Sequence, residues 1–153
     1  MAQEKLQTIL NKQVANWNVL YVKLHNYHWY VKGPHFFTLH VKFEELYEEV
    51  ATTMDEIAER LLSIKGQPVA TMDEYLQLSS IKEGDKTLSA DEMVKDLVQD
   101  FDKLSDELKT GIDASGSLGD DATEDMLIGI KESIEKHNWM LRSFVKESAN
   151  VRG

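Results

Sequence analysis

The chain has 153 residues, of which 42% are apolar and 29% are charged, a balance typical of one folded domain spanning 1–153. Its 27 acidic residues outnumber its 17 basic ones, and the net charge of -10 favours cationic over polyanionic ligands. The absence of cysteine excludes disulfides, thiolate metal sites and cysteine nucleophiles. No apolar run is long enough for a membrane span and the first residues do not resemble a signal peptide, so we expect a cytoplasmic protein without membrane contact.

Glycine and proline divide the chain into long segments, in which apolar residues recur every three or four positions. This periodicity is typical of amphipathic helices, whereas the period-two alternation of strands is absent. The predicted helices, in chain order, cover residues of about 4–31, 36–65, 73–79, 89–113 and 120–148. The pattern predicts an all-α fold: one up-down four-helix bundle, with a short extra helix in the connection between the second and third long helices.

Four of the five histidines lie within sixteen residues around the first turn. His28 lies six residues before Pro34 and His40 lies six residues after it, and both fall on the apolar stripes of their helices. Both are therefore about 9 Å from the turn, at the same height on adjacent antiparallel helices. A single histidine in a bundle is more often a surface or core residue, but two facing imidazoles form the beginning of a metal site.

Acidic residues continue the face of the second helix that carries His40. They fall within roughly one 100° sector of that helix and comprise Glu44, Glu48, Asp55 and Glu59. The alternative is a solvated acidic face. Asp55 and Glu59, however, are four residues apart, so their carboxylates are neighbours, and with two histidines they form a ligand set suited to Fe(II), Mn(II) or Zn(II).

One chain cannot close this site, because His40 and Asp55 are about 22 Å apart along one helix. Two antiparallel copies of the helix, related by a two-fold axis near residue 48 or 49, would bring His40 of one chain to Asp55 and Glu59 of the other. The spacing thus predicts two identical sites per dimer. A di-iron site inside one bundle is disfavoured, because no histidine has a glutamate three residues before it.

The same residues carry a resemblance to a known family. The stretch KLHNYHWYVKGPHFFTLHVKFEELYEE at 23–49, with GQPVATMDEYL at 66–76 and EKHNWMLRSF at 135–144, resembles the Dps family of mini-ferritins, in its Gram-positive bacterial form. The resemblance implies a ferritin-like fold and a hollow dodecameric shell. It also implies a ferroxidase that oxidises Fe(II), with hydrogen peroxide or dioxygen, and stores the ferric mineral without an organic cofactor.

The resemblance assigns roles residue by residue. His28 and His40 match the family's histidine ligands from one subunit, and Asp55 and Glu59 match the carboxylate ligands from its neighbour. Glu44 matches an acidic position near the site. Two aromatic residues, Trp29 and Trp139, match tryptophans that intercept oxidising equivalents.

Two further sets of acidic residues have both an ordinary structural interpretation and a functional one. The first group could nucleate ferric oxide or could simply form a solvated helix face. It comprises Glu44, Glu45, Glu48 and Glu49. Asp121 and Asp125, one turn apart at the start of the last helix, fit ordinary capping and dipole roles. The resemblance instead implies an acidic pore through which cations enter.

A competing function is protection of DNA by direct coating, as some members of the family do with a flexible basic tail. Here the first dozen residues contain only Lys5 and Lys12 as bases, and the C-terminal tail adds only Lys146 and Arg152. With the acidic net charge, this predicts that direct DNA binding is disfavoured. A helical interaction module without metal would leave the histidine and acid spacing unexplained.

Overall fold

The computed structural model describes residues 2–145, which form five helices and their connections. The helices are α1 (Ala2–Tyr30), α2 (Phe36–Ser63), α3 (Met72–Leu78), α4 (Ala90–Ser117) and α5 (Asp121–Phe144). Residues 2–145 contain no strand, so the all-α prediction is confirmed. The predicted end of the last helix, at 148, and the tail bases Lys146 and Arg152 lie outside the described residues.

The four long helices bury one continuous apolar core, to which each contributes fully buried side chains such as Leu24, Phe43, Leu97 and Leu127. Short connections make α1 antiparallel to α2 and α4 antiparallel to α5, and α1 packs on α2, α3 and α4. The long connection between α2 and α4 carries α3, as the sequence predicted. None of the helices in residues 2–145 has the length and apolar character needed to span a membrane.

Helix α4 is longer than its sequence predicts. It begins with a capping box, in which Ser89 Oγ accepts from the Glu92 amide at 3.2 Å and Glu92 Oε1 accepts from the Ser89 amide at 2.8 Å. The predicted end near 113 is wrong, because the helix continues to Ser117. Gly111 does not break it. A Cβ at that position would lie 3.0 Å from the Leu127 side chain, so the glycine allows α5 to pack closely.

A buried ionic network ties α1 to α4. The Lys23 ammonium, with 2% of its side chain exposed, lies 2.7 Å from an Asp100 oxygen and 3.0 Å from an Asp96 oxygen. The Tyr27 hydroxyl donates to the same Asp96 oxygen at 2.6 Å. Burial raises the pKa of Asp100 to about 6, although Lys23 opposes the shift.

The raised pKa of Asp100 predicts a pH-dependent loss of stability. In the folded chain the Asp100 carboxyl keeps its proton up to a pH of about 6, whereas the ordinary pKa of an aspartate is 3.8. The folded state therefore binds more protons in this window, and the free energy of unfolding falls as the pH rises through it. Between about pH 4 and about pH 7, wild type should lose up to about 3 kcal/mol relative to Asp100→Asn.

Urea unfolding of both proteins at each pH measures this difference. Acids whose pKa is lowered elsewhere contribute equally to both proteins and cancel. In Asp100→Asn, Lys23 keeps its contact with Asp96. If the two stability curves run parallel across the pH range, the carboxylate of Asp100 is not the titrating group.

Candidate metal site

The turn between α1 and α2 places two histidines side by side. His28 lies in the last turn of α1 and His40 in the first turns of α2. Gly33 adopts a φ of +109°, a value that glycine reaches without strain, and its carbonyl accepts from the Phe36 amide at 3.1 Å. The chain thus reverses tightly, and the two histidine rings stack with centroids 3.7 Å apart and planes 12° apart. The predicted facing pair is confirmed.

Each of these histidines binds the backbone of the other. His28 Nδ1 donates to the His40 carbonyl at 2.7 Å, and His40 Nδ1 donates to the His28 carbonyl at 2.7 Å. A carbonyl oxygen only accepts hydrogen bonds, so Nδ1 carries the hydrogen in both rings. In the neutral rings, both Nε2 atoms then present lone pairs. This arrangement orients metal-ligating histidines before a metal arrives.

Glu44 adds an oxygen to the two imidazole nitrogens. Its carboxylate lies 4.0 Å from His28 Nε2, and one ligand atom from each of His28, His40 and Glu44 fits within a span of 4.8 Å. His28 is 6% exposed, whereas the Glu44 side chain is 47% exposed. The cluster is therefore a half-open N/N/O site, anchored in the protein on one side and open on the other.

Asp55 and Glu59 are not brought to these histidines within one chain. Both are exposed, and α2 is continuous from Phe36 to Ser63, so Asp55 lies about 22 Å along the helix from His40. Their role as ligands stays a prediction that requires a second chain.

Aromatic rings lie on part of the border of the histidine pair. The Tyr47 ring meets His28 edge-on at 5.3 Å and stacks on His25 at 3.8 Å. Trp29 lies 5.2 Å from His25 and is 66% exposed, and Trp139 on α5 is 56% exposed. The pKa of Tyr47 is raised, mainly by partial desolvation and to a smaller extent by the nearby carboxylates of Glu44 and Glu48.

The helical spacing predicts Tyr47 as an apolar core residue and not as a neighbour of the histidine pair, although a signal for that contact was present. Tyr21 and Tyr47 are each thirteen residues from Pro34, which is the same symmetric spacing that placed His28 opposite His40. The two tyrosine rings do meet, with centroids 6.0 Å apart.

Of the four candidate nucleation residues, two are engaged within the subunit. Glu49 accepts hydrogen bonds from Ser133 and from His137 Nε2, and Glu45 contacts the Lys42 ammonium at 2.9 Å. Burial alone would raise the pKa of Glu49, but these hydrogen bonds outweigh it and hold the pKa below its ordinary value. Glu48 is exposed. Nucleation by these residues stays a prediction.

The acids at the start of α5 divide into two groups. Asp120 is the N-cap: its carboxylate accepts from the Thr123 amide at 3.0 Å and from Arg60 at 3.1 Å. Asp121 and Asp125 are exposed beside it. The capping hydrogen bond therefore belongs to Asp120, and the pore role of Asp121 and Asp125 stays a prediction.

Comparison with known proteins identifies the class. The family model of the ferritin-like domain matches residues 7–150. General stress protein 20U of Bacillus subtilis is 54% identical over 95% of this chain and 99% of its own length. DNA protection during starvation protein 2 of Bacillus anthracis is 55% identical over 91% of this chain and 95% of its own.

Solved structures give the same result. Dps from Staphylococcus aureus has a TM-score of 0.92 at 53% identity, covering 94% of this chain and 96% of that one. A zinc-soaked Dps from Listeria innocua has a TM-score of 0.89 at 47% identity, covering 92% and 96%. The fold is that of a ferritin-like protein. Within that class, the chain belongs to the Dps family.

The reciprocal hydrogen bonds allow packing and metal ligation to be separated. In His28→Asn/His40→Asn, the asparagine amides can replace Nδ1 as donors to the two carbonyls but supply no imidazole nitrogen. We expect the fold to be retained, with unfolding free energy within about 1 kcal/mol of wild type. Binding of Co(II), followed by its visible absorption, should be lost at this cluster.

The matched control is His35→Asn, which removes an exposed histidine at the start of α2. It should leave the Co(II) spectrum unchanged. Persistence of the wild-type spectrum in the double variant would exclude the two imidazoles as ligands.

Proposed function

We propose that the protein is a ferroxidase and iron-storage protein that oxidises Fe(II) at a site shared between two subunits. The observation that carries this proposal is the reciprocally hydrogen-bonded pair His28 and His40, which clusters with the Glu44 carboxylate, 4.0 Å from His28 Nε2. Asp55 and Glu59 of a second subunit would complete the ligand set. Family membership supports the same function.

The ligand types suit this reaction. Imidazole nitrogens bind Fe(II), and anionic carboxylate oxygens stabilise Fe(III) more strongly than Fe(II), so a mixed set favours oxidation. With hydrogen peroxide, two Fe(II) each lose one electron and one peroxide gains both, which gives two Fe(III) and two hydroxides. Iron is the substrate and product, and no organic cofactor is needed. Trp29 and Trp139 would intercept oxidising equivalents that escape.

We further propose that the chains assemble into a dodecameric shell that stores the ferric mineral in the cytoplasm. Carboxylates on α2, among which Glu45 and Glu48 are exposed and Glu44 is half-exposed, would nucleate the mineral. Removal of Fe(II) and peroxide together would protect DNA from oxidative cleavage. Protection by coating DNA has less support, because the net charge is -10 and phosphate backbones repel such a surface.

Complementation between inactive subunits tests the shared site. His28→Ala/His40→Ala retains only the carboxylates, and Asp55→Ala/Glu59→Ala retains only the histidines. When the two variants are unfolded together and reassembled, each mixed dimer has one site with four ligands and one with none. Random pairing should restore about a quarter of the wild-type rate of Fe(II) oxidation.

Each variant reassembled alone is the control and should stay inactive. Differently tagged subunits allow the mixed dimers to be isolated before the assay. Inactive mixed dimers of correct size and helicity would contradict a site shared in this way.

The proposed pore makes a separate prediction. Asp121→Asn/Asp125→Asn removes two exposed charges, so the local attraction for Fe(II) weakens. Uptake should slow at low iron and recover at high iron, and the difference should shrink as added salt screens the charges. Stopped-flow absorbance of Fe(III) formation measures the rate.

The matched control is Asp120→Asn, which keeps an oxygen at the helix cap but removes the charge that pairs with Arg60, without changing the exposed pair. It should lower the melting temperature but leave the rate of Fe(II) uptake at low iron close to that of wild type. Equal uptake rates in wild type and Asp121→Asn/Asp125→Asn, at low iron and low salt, would show that these two acids have no role in iron entry.

A further inference from the structure

A second cluster of metal-ligand atoms lies between α2 and α5, on the face of α2 that packs against α5. The Lys42 ammonium is at its centre. It lies 2.9 Å from Glu45 Oε1, 3.1 Å from His137 Nδ1 and 3.5 Å from Met140 Sδ. An oxygen, a nitrogen and a sulfur atom, each able to donate a lone pair, thus converge on one cation.

The orientation of His137 is fixed from its other side. Nε2 donates to the Glu49 carboxylate at 2.9 Å, and Glu49 is also held by the Ser133 hydroxyl. A carboxylate only accepts, so Nε2 carries the hydrogen and Nδ1 presents its lone pair to the ammonium. A histidine that is hydrogen-bonded to a carboxylate through one nitrogen, with a cation at the other, is the usual arrangement around a protein-bound metal.

We propose that this cluster, comprising His137, Glu45 and Met140, is a second metal site for Cu(II), in which the Lys42 ammonium occupies the place of the metal. Glu45 Oε1 and His137 Nδ1 are 4.0 Å apart, so a metal about 2.0 Å from each fits between them with little rearrangement. The Glu45 side chain is 58% exposed and is free to adjust. The Lys42 side chain is 18% exposed and can swing into solvent as the metal enters.

The ligand atoms favour copper over the iron of the proposed ferroxidase reaction. Cu(II) has the highest affinity of the common divalent first-row metals for a given site, imidazole nitrogen suits it, and a methionine thioether serves in copper sites as a weak axial ligand. The His28 and His40 cluster has no sulfur ligand among its three residues. One subunit would therefore carry two sites of different metal preference on two faces of α2.

Copper titration of the assembled protein tests this site in the background His28→Asn/His40→Asn, which removes the other imidazole pair. The result therefore does not depend on the ferroxidase proposal. Copper sulfate is added against a chromogenic competing chelator, and frozen samples are examined by electron paramagnetic resonance. We expect one Cu(II) per chain, with coupling to one imidazole nitrogen. Addition of His137→Gln should abolish both signals.

Lys42→Leu distinguishes a site occupied by its own ammonium from an ordinary surface histidine. Removing the competing positive charge should tighten Cu(II) binding by about tenfold. His35→Asn, added to the same background, is the matched histidine control and should change neither affinity nor spectrum. Shell size and melting temperature are measured for each variant. If His137→Gln fails to assemble, the Lys42→Leu titration decides.

Two results would overturn the proposal. The first is an unchanged copper stoichiometry and spectrum in His137→Gln. The second is a Cu(II) affinity in Lys42→Leu that is equal to or weaker than that of the background.

Discussion

The arrangement of the candidate site depends on one reciprocal interaction, the pair of hydrogen bonds between each imidazole of His28 and His40 and the carbonyl of the other. The two bonds join α1 to α2 just beyond their connecting turn. They also determine which nitrogen of each ring remains for a ligand. Because one geometry does both, folding of a single chain is enough to orient the histidine half of the candidate site.

Helix α2 supplies two faces with different surroundings. One carries His40 and Glu44 beside α1, and it is half open where a second subunit would approach. The other carries Lys42, Glu45 and Glu49 toward α5, where Glu49 accepts hydrogen bonds from His137 and Ser133 while Glu45 pairs with Lys42 of its own helix. An acidic sequence on one helix therefore does not give one acidic surface. The partners on neighbouring helices decide which carboxylates remain available to a cation.

Much of the fold follows from the sequence, because helical periodicity and capping are local properties. The equal spacing of His28 and His40 from Pro34 also sufficed to place them face to face. The end of α4 did not follow, because the role of Gly111 depends on Leu127, a residue of another helix. The buried contact of Lys23 with Asp100 and the hydrogen bond from His137 to Glu49 were missed for the same reason. Contacts between helices distant in sequence leave no periodic trace.

The absent side chain at Gly111 has a consequence for the assembly of the helices. It is a point where α4 accepts the Leu127 side chain against its own backbone, so it acts as a notch that fixes the axial register of α5. Sliding α5 by one turn would press Leu127 against a bulkier position on α4. The missing Cβ of Gly111 therefore contributes to the height at which α5 begins, and with it to the level of Asp121 and Asp125 at the molecular surface.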